Sequence, residues 1–247
     1  MARTFAALAL PAVLAWAATA QSRTPVLVEL FTSEACSSCP PADGVLARLD
    51  REQAAGGVEV IPLSEHVDYW NNTGWRDRFS SPLFSSRQQD YGQALHLETV
   101  YTPQMVVNGQ AQVLGSDENA VRAAIRAAAQ GPRATVALRV AGLDSASCQV
   151  RGFPPGTQTA DVLLAVTESS LVTFVSGGEN NGNRLRHSAV VRSLHTLARL
   201  DAKKGGVYSA DVRLNLRSDW NRQNLKLVLF VQDRSSKRIL GAAAAHL

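Results

Sequence analysis

Val26-Leu27-Val28-Glu29-Leu30-Phe31-Thr32-Ser33-Glu34-Ala35-Cys36-Ser37-Ser38-Cys39-Pro40-Pro41 is the stretch that decides the fold. Val26 to Phe31 is an apolar run of strand length, and Pro41 to Gln53 reads as a helix. A proline near a helix start costs little, because its missing N–H would be unpaired there anyway. Val45, Leu46 and Leu49 then fall on one face, and Gly56 and Gly57 end the helix. Cys36 thus stands at a helix N-terminus, where the partial positive charge favours thiolate over thiol. A lowered pKa makes Cys36 a nucleophile towards disulfides, and Cys39 can attack the mixed disulfide to release product.

Composition frames this reading. The chain has 247 residues, 45% hydrophobic and 19% charged, which is globular rather than disordered. Lys+Arg 25 against Asp+Glu 21 gives a net charge of +4, with no basic run longer than Lys203-Lys204, so a nucleic-acid partner is not expected. Three cysteines are too few for a disulfide-built scaffold. Arg3, the apolar stretch Phe5 to Ala18 and the small residues Ala18-Thr19-Ala20 read as a signal peptide over residues 1–20. The expectation is an exported protein, periplasmic or secreted, without a membrane span after cleavage. That compartment permits disulfides.

Working outward, strand-like runs alternate with helical ones as far as Gln130. Val58 to Leu63 reads as a second strand. Gln104 to Asn108 and Ala111 to Leu114 read as a hairpin turning at Asn108-Gly109. Ser116, Asp117 and Glu118 cap a helix that buries Val121 and Ile125. Residues 64–101 form an insertion too long for an ordinary connection. Gly131-Pro132 marks a boundary, after which about eight strand-like runs follow with no helical period. They are Thr135–Val140, Ser147–Arg151, Asp161–Thr167, Leu171–Val175, Ser188–Ala198, Val207–Leu214, Leu225–Gln232 and Arg238–Ala244. The expected domains are therefore a mixed α/β domain over 21–131 and a small all-β sandwich over 132–247.

Tyr101-Thr102-Pro103 enters the third strand, and a proline there fits only a strand's first residue, with a tight turn favouring a cis bond. Strand, cysteine pair, helix, strand, Thr-Pro, hairpin and helix follow in the order of thioredoxin-like domains, which residues 25 to about 130 resemble. The resemblance implies that Thr102 and Pro103 face the cysteines and dock an extended substrate. It also implies that Glu29, with one extra loop residue allowed, accepts the proton of Cys39. Ala35 in place of a tryptophan, Ser37-Ser38 between the cysteines and Pro40-Pro41 after them depart from that pattern and leave the redox potential and substrate open. A longer set of residues is more specific: Glu29 to Glu34, Cys36 to Asp43, His66-Val67-Asp68-Tyr69-Trp70, Gly74-Trp75, Arg87-Gln88, Tyr91, Tyr101 to Gln104, Gly178 to Gly182 and His187 to Arg192. Together they resemble the exported bacterial proteins called domain of unknown function family 1223. That resemblance names no substrate.

Three functions fit these residues. The first is a thiol–disulfide oxidoreductase acting on protein or small thiols and disulfides without a cofactor, with His66, Asp68, Trp70 and Trp75 lining a substrate groove. The second is a soft-metal carrier, Cu(I) held by Cys36, Cys39 and His66, with His96 a further imidazole of unknown placement. The third is a binding module with an inert disulfide. A structural staple is weak chemistry here, because so short a loop removes only ~2 kcal/mol of unfolded-chain entropy against ~3 for a fifteen-residue loop. Cys148 reads as a buried small hydrophobe, Glu179 to Asn183 as a turn, and Arg76, Arg78 and Arg87 carry no assigned role.

Overall fold

Thr24–Thr32 forms β1, and every residue from Val26 to its end is buried. Such a strand is apolar on both faces because both are covered. Val26, Val28 and Leu30 pack against helix α1 (Pro40–Glu52) and helix α3 (Glu118–Ala128), while Leu27 points to the opposite side. The computed structural model describes residues 23–52 and 57–247, so the signal peptide expected over 1–20 and the expected helix stop at Gly56 lie outside the described residues. No helix among the described residues is long and apolar enough to cross a membrane.

β2 (Val58–His66) lies parallel to β1, and β3 (Gln104–Val107) runs antiparallel on its other side, followed by β4 (Ala111–Leu114). The long insertion holds a helix, α2 (Pro82–Ala94), with Ser81 capping its Leu83 N–H and proline at the first position. The sequence reading placed no helix there.

The second half of the chain differs from the expected separate sandwich. It supplies β5 (Thr135–Val140), β6 (Ser145–Arg151), β7 (Thr159–Glu168), β8 (Leu171–Phe174), β9 (Arg184–His187), β10 (Val190–Asp201), β11 (Tyr208–Arg213), β12 (Leu225–Asp233) and β13 (Ile239–His246). Four of these join the first half in one eight-stranded sheet, ordered β13-β12-β7-β10-β2-β1-β3-β4. The seam is short: Val190 of β10 stands opposite Ser64 of β2, whose N–H donates to Ala189 O at 2.8 Å. β5, β6 and β11 form a second sheet, and Cys148 and Val150 on β6 pack against Leu164, Val166 and Leu229. A sandwich-like layer therefore exists, but one of its sheets is shared with the first half. The other face of β7, carrying Leu163 and Ala165, joins Leu27, Phe84, Phe230 and Ile239 in a common core. β7 and β12 are central strands, which explains why Val162 to Val166 and Leu227 to Val231 are continuously apolar rather than alternating.

The sheet curls until Ile239 N–H donates to Asn108 O at 2.8 Å, while the Asn108 side chain accepts from Leu27 N–H. Its far edge thus returns to the β3–β4 turn. The expected strand over Ser188–Ala198 is β10, which begins at Val190, just after Ala189 with its φ of 53°, and runs on to Asp201; β9 precedes that break. Because one core spans the boundary at Gly131-Pro132, thermal unfolding will be a single transition with equal calorimetric and van't Hoff enthalpies. Two resolved transitions in differential scanning calorimetry would restore two independent domains.

Candidate functional site

Residues 33–39 link the end of β1 to the start of α1. Cys36 and Cys39 are joined as a disulfide with Cα atoms 5.4 Å apart, and both are fully buried. Cys39 O accepts from Ala42 N–H and Asp43 N–H in the first turn of α1, so the pair sits at the positive end of that helix. Thr102 Oγ1 donates to Cys36 Sγ at 3.4 Å, and Trp70 Nε1 donates to Thr102 Oγ1 at 2.8 Å. The Thr102–Pro103 peptide is cis. Three residues singled out in the sequence, Thr102, Pro103 and Trp70, therefore meet at the disulfide.

Behind it lies a buried charged cluster centred on Glu34. Its N–H donates to Asp77 Oδ2 (2.9 Å), and its carbonyl accepts from Asn180 Nδ2 (2.9 Å). Its Oε2 accepts from Trp75 Nε1 (2.9 Å), and its Oε1 lies 3.2 Å from His187 Nε2. Burial by itself would raise the Glu34 pKa, but hydrogen bonding to His187 and Trp75 prevails and holds it below the usual value. Asp77 in turn lies 2.6 Å from His66 Nδ1. Burial disfavours a charged imidazole, yet the Asp77 carboxylate outweighs it, and the His66 pKa lies above its ordinary value. The rings of His66 and His187 meet edge to face at 5.1 Å.

Asp43 is the second buried acid. It lies one helical turn beyond Cys39, on the same face of α1, and accepts from Thr32 Oγ1 at 3.0 Å. Burial pushes its pKa up. Outside the helix, Asn180 Nδ2 also donates to Cys36 O (2.9 Å), and Glu179 Oε2 accepts from both Ser37 N–H (3.0 Å) and Ser37 Oγ (2.7 Å). The turn read as having no function thus clamps the cysteine segment. It also packs on the insertion: a Cβ on Gly177 would stand 2.3 Å from Gly74 O, so only glycine fits.

Glu29 is elsewhere. Its side chain faces the α2 side of the sheet, opposite α1, and pairs with Arg87 Nε (2.6 Å) and Tyr91 OH (2.5 Å). Arg87 extends that buried network to Gln232 at 3.0 Å and so ties α2 to β1 and β12. Asp68 bonds Ser85, two elements inside the insertion, and Trp75 serves Glu34 rather than an open groove. His66 is bonded to Asp77 and not to a cysteine. His96 is exposed just past the end of α2. Among the described residues, no group of three or more His, Cys, Asp or Glu side chains is placed to hold a metal ion. Cys148 is buried on β6, its thiol pushed up to about 11 by burial.

These features define a mixed-sheet protein with few flanking helices, three against thirteen strands among the described residues, and a buried Cys-x-x-Cys disulfide. The chain belongs to the protein family of unknown function DUF1223, whose model matches residues 27–232. It is similar to a structural-genomics protein of Agrobacterium tumefaciens solved by X-ray crystallography, at 29% identity and a TM-score of 0.70, covering 89% of this chain and 92% of that one. A domain of the outer membrane lipoprotein Omp28 from Porphyromonas gingivalis matches at 13% identity and a TM-score of 0.26, over 46% of this chain and 93% of that one. No curated protein matches.

Two stability predictions come from the cluster. Glu34→Ala strands His187 and Trp75 Nε1 while the backbone bonds to Asp77 and Asn180 remain, so urea unfolding will report a loss of ~3–5 kcal/mol; a loss below ~1 kcal/mol would show the cluster to be loosely held. His66 binds its proton more tightly folded than unfolded, so its contribution is complete below its ordinary value of 6.5 and is lost as pH rises through the higher folded value. Unfolding free energy measured across that range will therefore fall with rising pH, and the fall will be absent in His66→Gln.

Proposed function

We propose that this protein is an exported thiol–disulfide oxidoreductase built on the thioredoxin-like plan, acting in the periplasm or outside the cell. The observation that carries the reading is the hydrogen bond from Thr102 Oγ1, next to the cis proline, to the sulfur of Cys36 at the start of α1. A sulfur in that position gains from the helix's positive end when it leaves as thiolate.

In the disulfide state the protein is the oxidant. A substrate thiolate attacks Cys36 Sγ, the Cys36–Cys39 bond breaks, and Cys39 departs as a thiolate. A second substrate thiolate then attacks the substrate sulfur of the mixed disulfide and releases Cys36. Two electrons pass from the substrate dithiol to the protein, and a disulfide-bearing partner must reoxidise it. Asp43, protonated more readily than an ordinary aspartate and one turn along from Cys39, supplies the proton that the departing sulfur takes up. Glu29, on the other face of the sheet, has no part in this step.

Both sulfurs are buried, so exchange requires the segment from Cys36 to Ser38 to open. The bonds holding it are those from Thr102, Glu179 and Asn180.

The test is equilibration of the protein in glutathione or dithiothreitol buffers, with Cys36 and Cys39 scored by alkylation and mass. A reversible potential between about −120 and −270 mV is expected, the span of working oxidoreductases. Cys36→Ser will abolish exchange and Cys39→Ser will accumulate mixed disulfides. A value below about −300 mV, or full exchange by Cys36→Ser, would overturn the reading.

A further inference from the structure

A groove of about 500 Å³ starts at Pro40 and runs along α1, between that helix and the β8–β9 hairpin. That volume is in the range of ligand sites. On the helix side it is lined by Pro40, Gly44, Ala47 and Arg51, spaced four, three and four residues apart, which makes one continuous stripe. Gly44 and Ala47 keep its floor low. Pro40, the first residue of the stripe, follows Cys39 directly, so one end of the groove lies next to the cysteine segment, with both sulfurs buried behind it.

Its charge is mostly positive: the lining carboxylate is Asp43, which is buried, accepts from Thr32 Oγ1 at 3.0 Å and has its pKa pushed up by burial. Arg51 projects from the helix, and Arg184 and Arg186 project from β9 across the gap. The carboxylates flanking Arg51 on the helix are already occupied: Asp50 by Lys226 at 2.7 Å, and Glu52 by Arg122 at 2.7 Å. Arg48 is paired with Glu118. Among the described residues, Arg51, Arg184 and Arg186 have no carboxylate in ion-pair contact, and all three are exposed. Arg184 lies over the Phe174 ring at 5.4 Å, and Phe174 is 72% exposed, an apolar anchor beside the cations.

The shape favours a polypeptide over a small thiol. From Pro40 to Arg51 the helix rises ~16 Å, enough for about five extended residues. β8 and β9 pair only with each other, so the hairpin also has strand edges without a partner.

We propose that this groove takes an acidic, extended segment of a polypeptide substrate, with the substrate's cysteine at the Pro40 end beside the disulfide. The inference rests on the oxidoreductase reading for its chemistry, but its binding step can be measured without it.

The experiment titrates the native disulfide form with a fluorescent peptide rich in Asp and Glu, with serine in place of cysteine, and follows anisotropy. Neutral and Lys-rich peptides of equal length, and inorganic polyphosphate, are the comparisons. The acidic peptide alone is expected to bind, less tightly as salt rises. The double variant Arg51→Glu with Arg186→Glu should bind it roughly tenfold more weakly. Its thermal midpoint should be unchanged, since both side chains are exposed. Equal binding of all three peptides, an unaffected double variant, or polyphosphate binding as well as the peptide would overturn the groove. Reduction of the wild type by dithiothreitol separates the two ideas. A reducible disulfide with no preference for the acidic peptide ends the groove and leaves the exchange reading. Peptide binding with a disulfide inert to every thiol does the reverse.

Discussion

Glu34 is a fully buried carboxylate two residues past the end of a strand whose faces are both covered, and a charge in that place must be paired or it unfolds its surroundings. Its N–H, its carbonyl and Oε2 are hydrogen-bonded, and Oε1 lies 3.2 Å from His187 Nε2. Asp77 and Trp75 come from the insertion, and Asn180 and His187 come from the second half of the chain. The segments that flank the disulfide are therefore fixed by one residue's need for partners. Asp77 then carries the requirement onward to His66, and through Ser81 N–H on His66 O to the start of α2. A second buried acid, Glu29, does the same on the other face of the sheet, where Arg87 and Tyr91 fasten α2.

This arrangement explains why the chain is not divided at Gly131-Pro132. A single residue pair, Val190 and Ser64, joins the two halves of the large sheet in the β-ladder. The apolar core shared by Leu27, Phe84, Leu163, Phe230 and Ile239 and the polar bonds to Glu34 make that seam continuous. Function and architecture meet there, because the same turn that clamps Cys36 and Ser37 also packs by glycine contact on the insertion.

Local signals were legible in the sequence and long-range ones were not. β1, the cysteine pair, α1, the Asn108-Gly109 hairpin and the Asp117 cap follow from neighbouring residues, and they stand within a few positions of where spacing puts them. Strand partners follow from burial on the opposite face, which periodicity alone does not report, and so the second half looked like a sandwich of its own. The continuous apolar runs of β7 and β12 were the available sign that these strands are central. Ser81-Pro82 was the available sign of α2, an N-cap followed by proline, masked by a weak apolar stripe behind it. Glu29 was misplaced for a simpler reason: along a strand, one residue's displacement turns a side chain to the opposite face, and allowing one extra loop residue is enough to do that. The partners of Glu34 could not be read at all, because each lies on a different segment.

The charges around the disulfide pull in opposite senses. The start of α1 favours a thiolate at Cys36, whereas Glu179, bonded to the adjacent Ser37, places negative charge beside that segment. A carboxylate near a leaving sulfur disfavours the thiolate and therefore the reduced state. Asp77 and Glu34 are bonded to His66 and His187 within the buried cluster, whereas Glu179 is exposed at the front and its contact is with Ser37. On the oxidoreductase reading, the clamp acts twice on the same bond: it holds the segment closed over the sulfurs, and its charge disfavours a thiolate there. On that reading, access to Cys36 and the ease of its reduction are coupled through one side chain, Glu179.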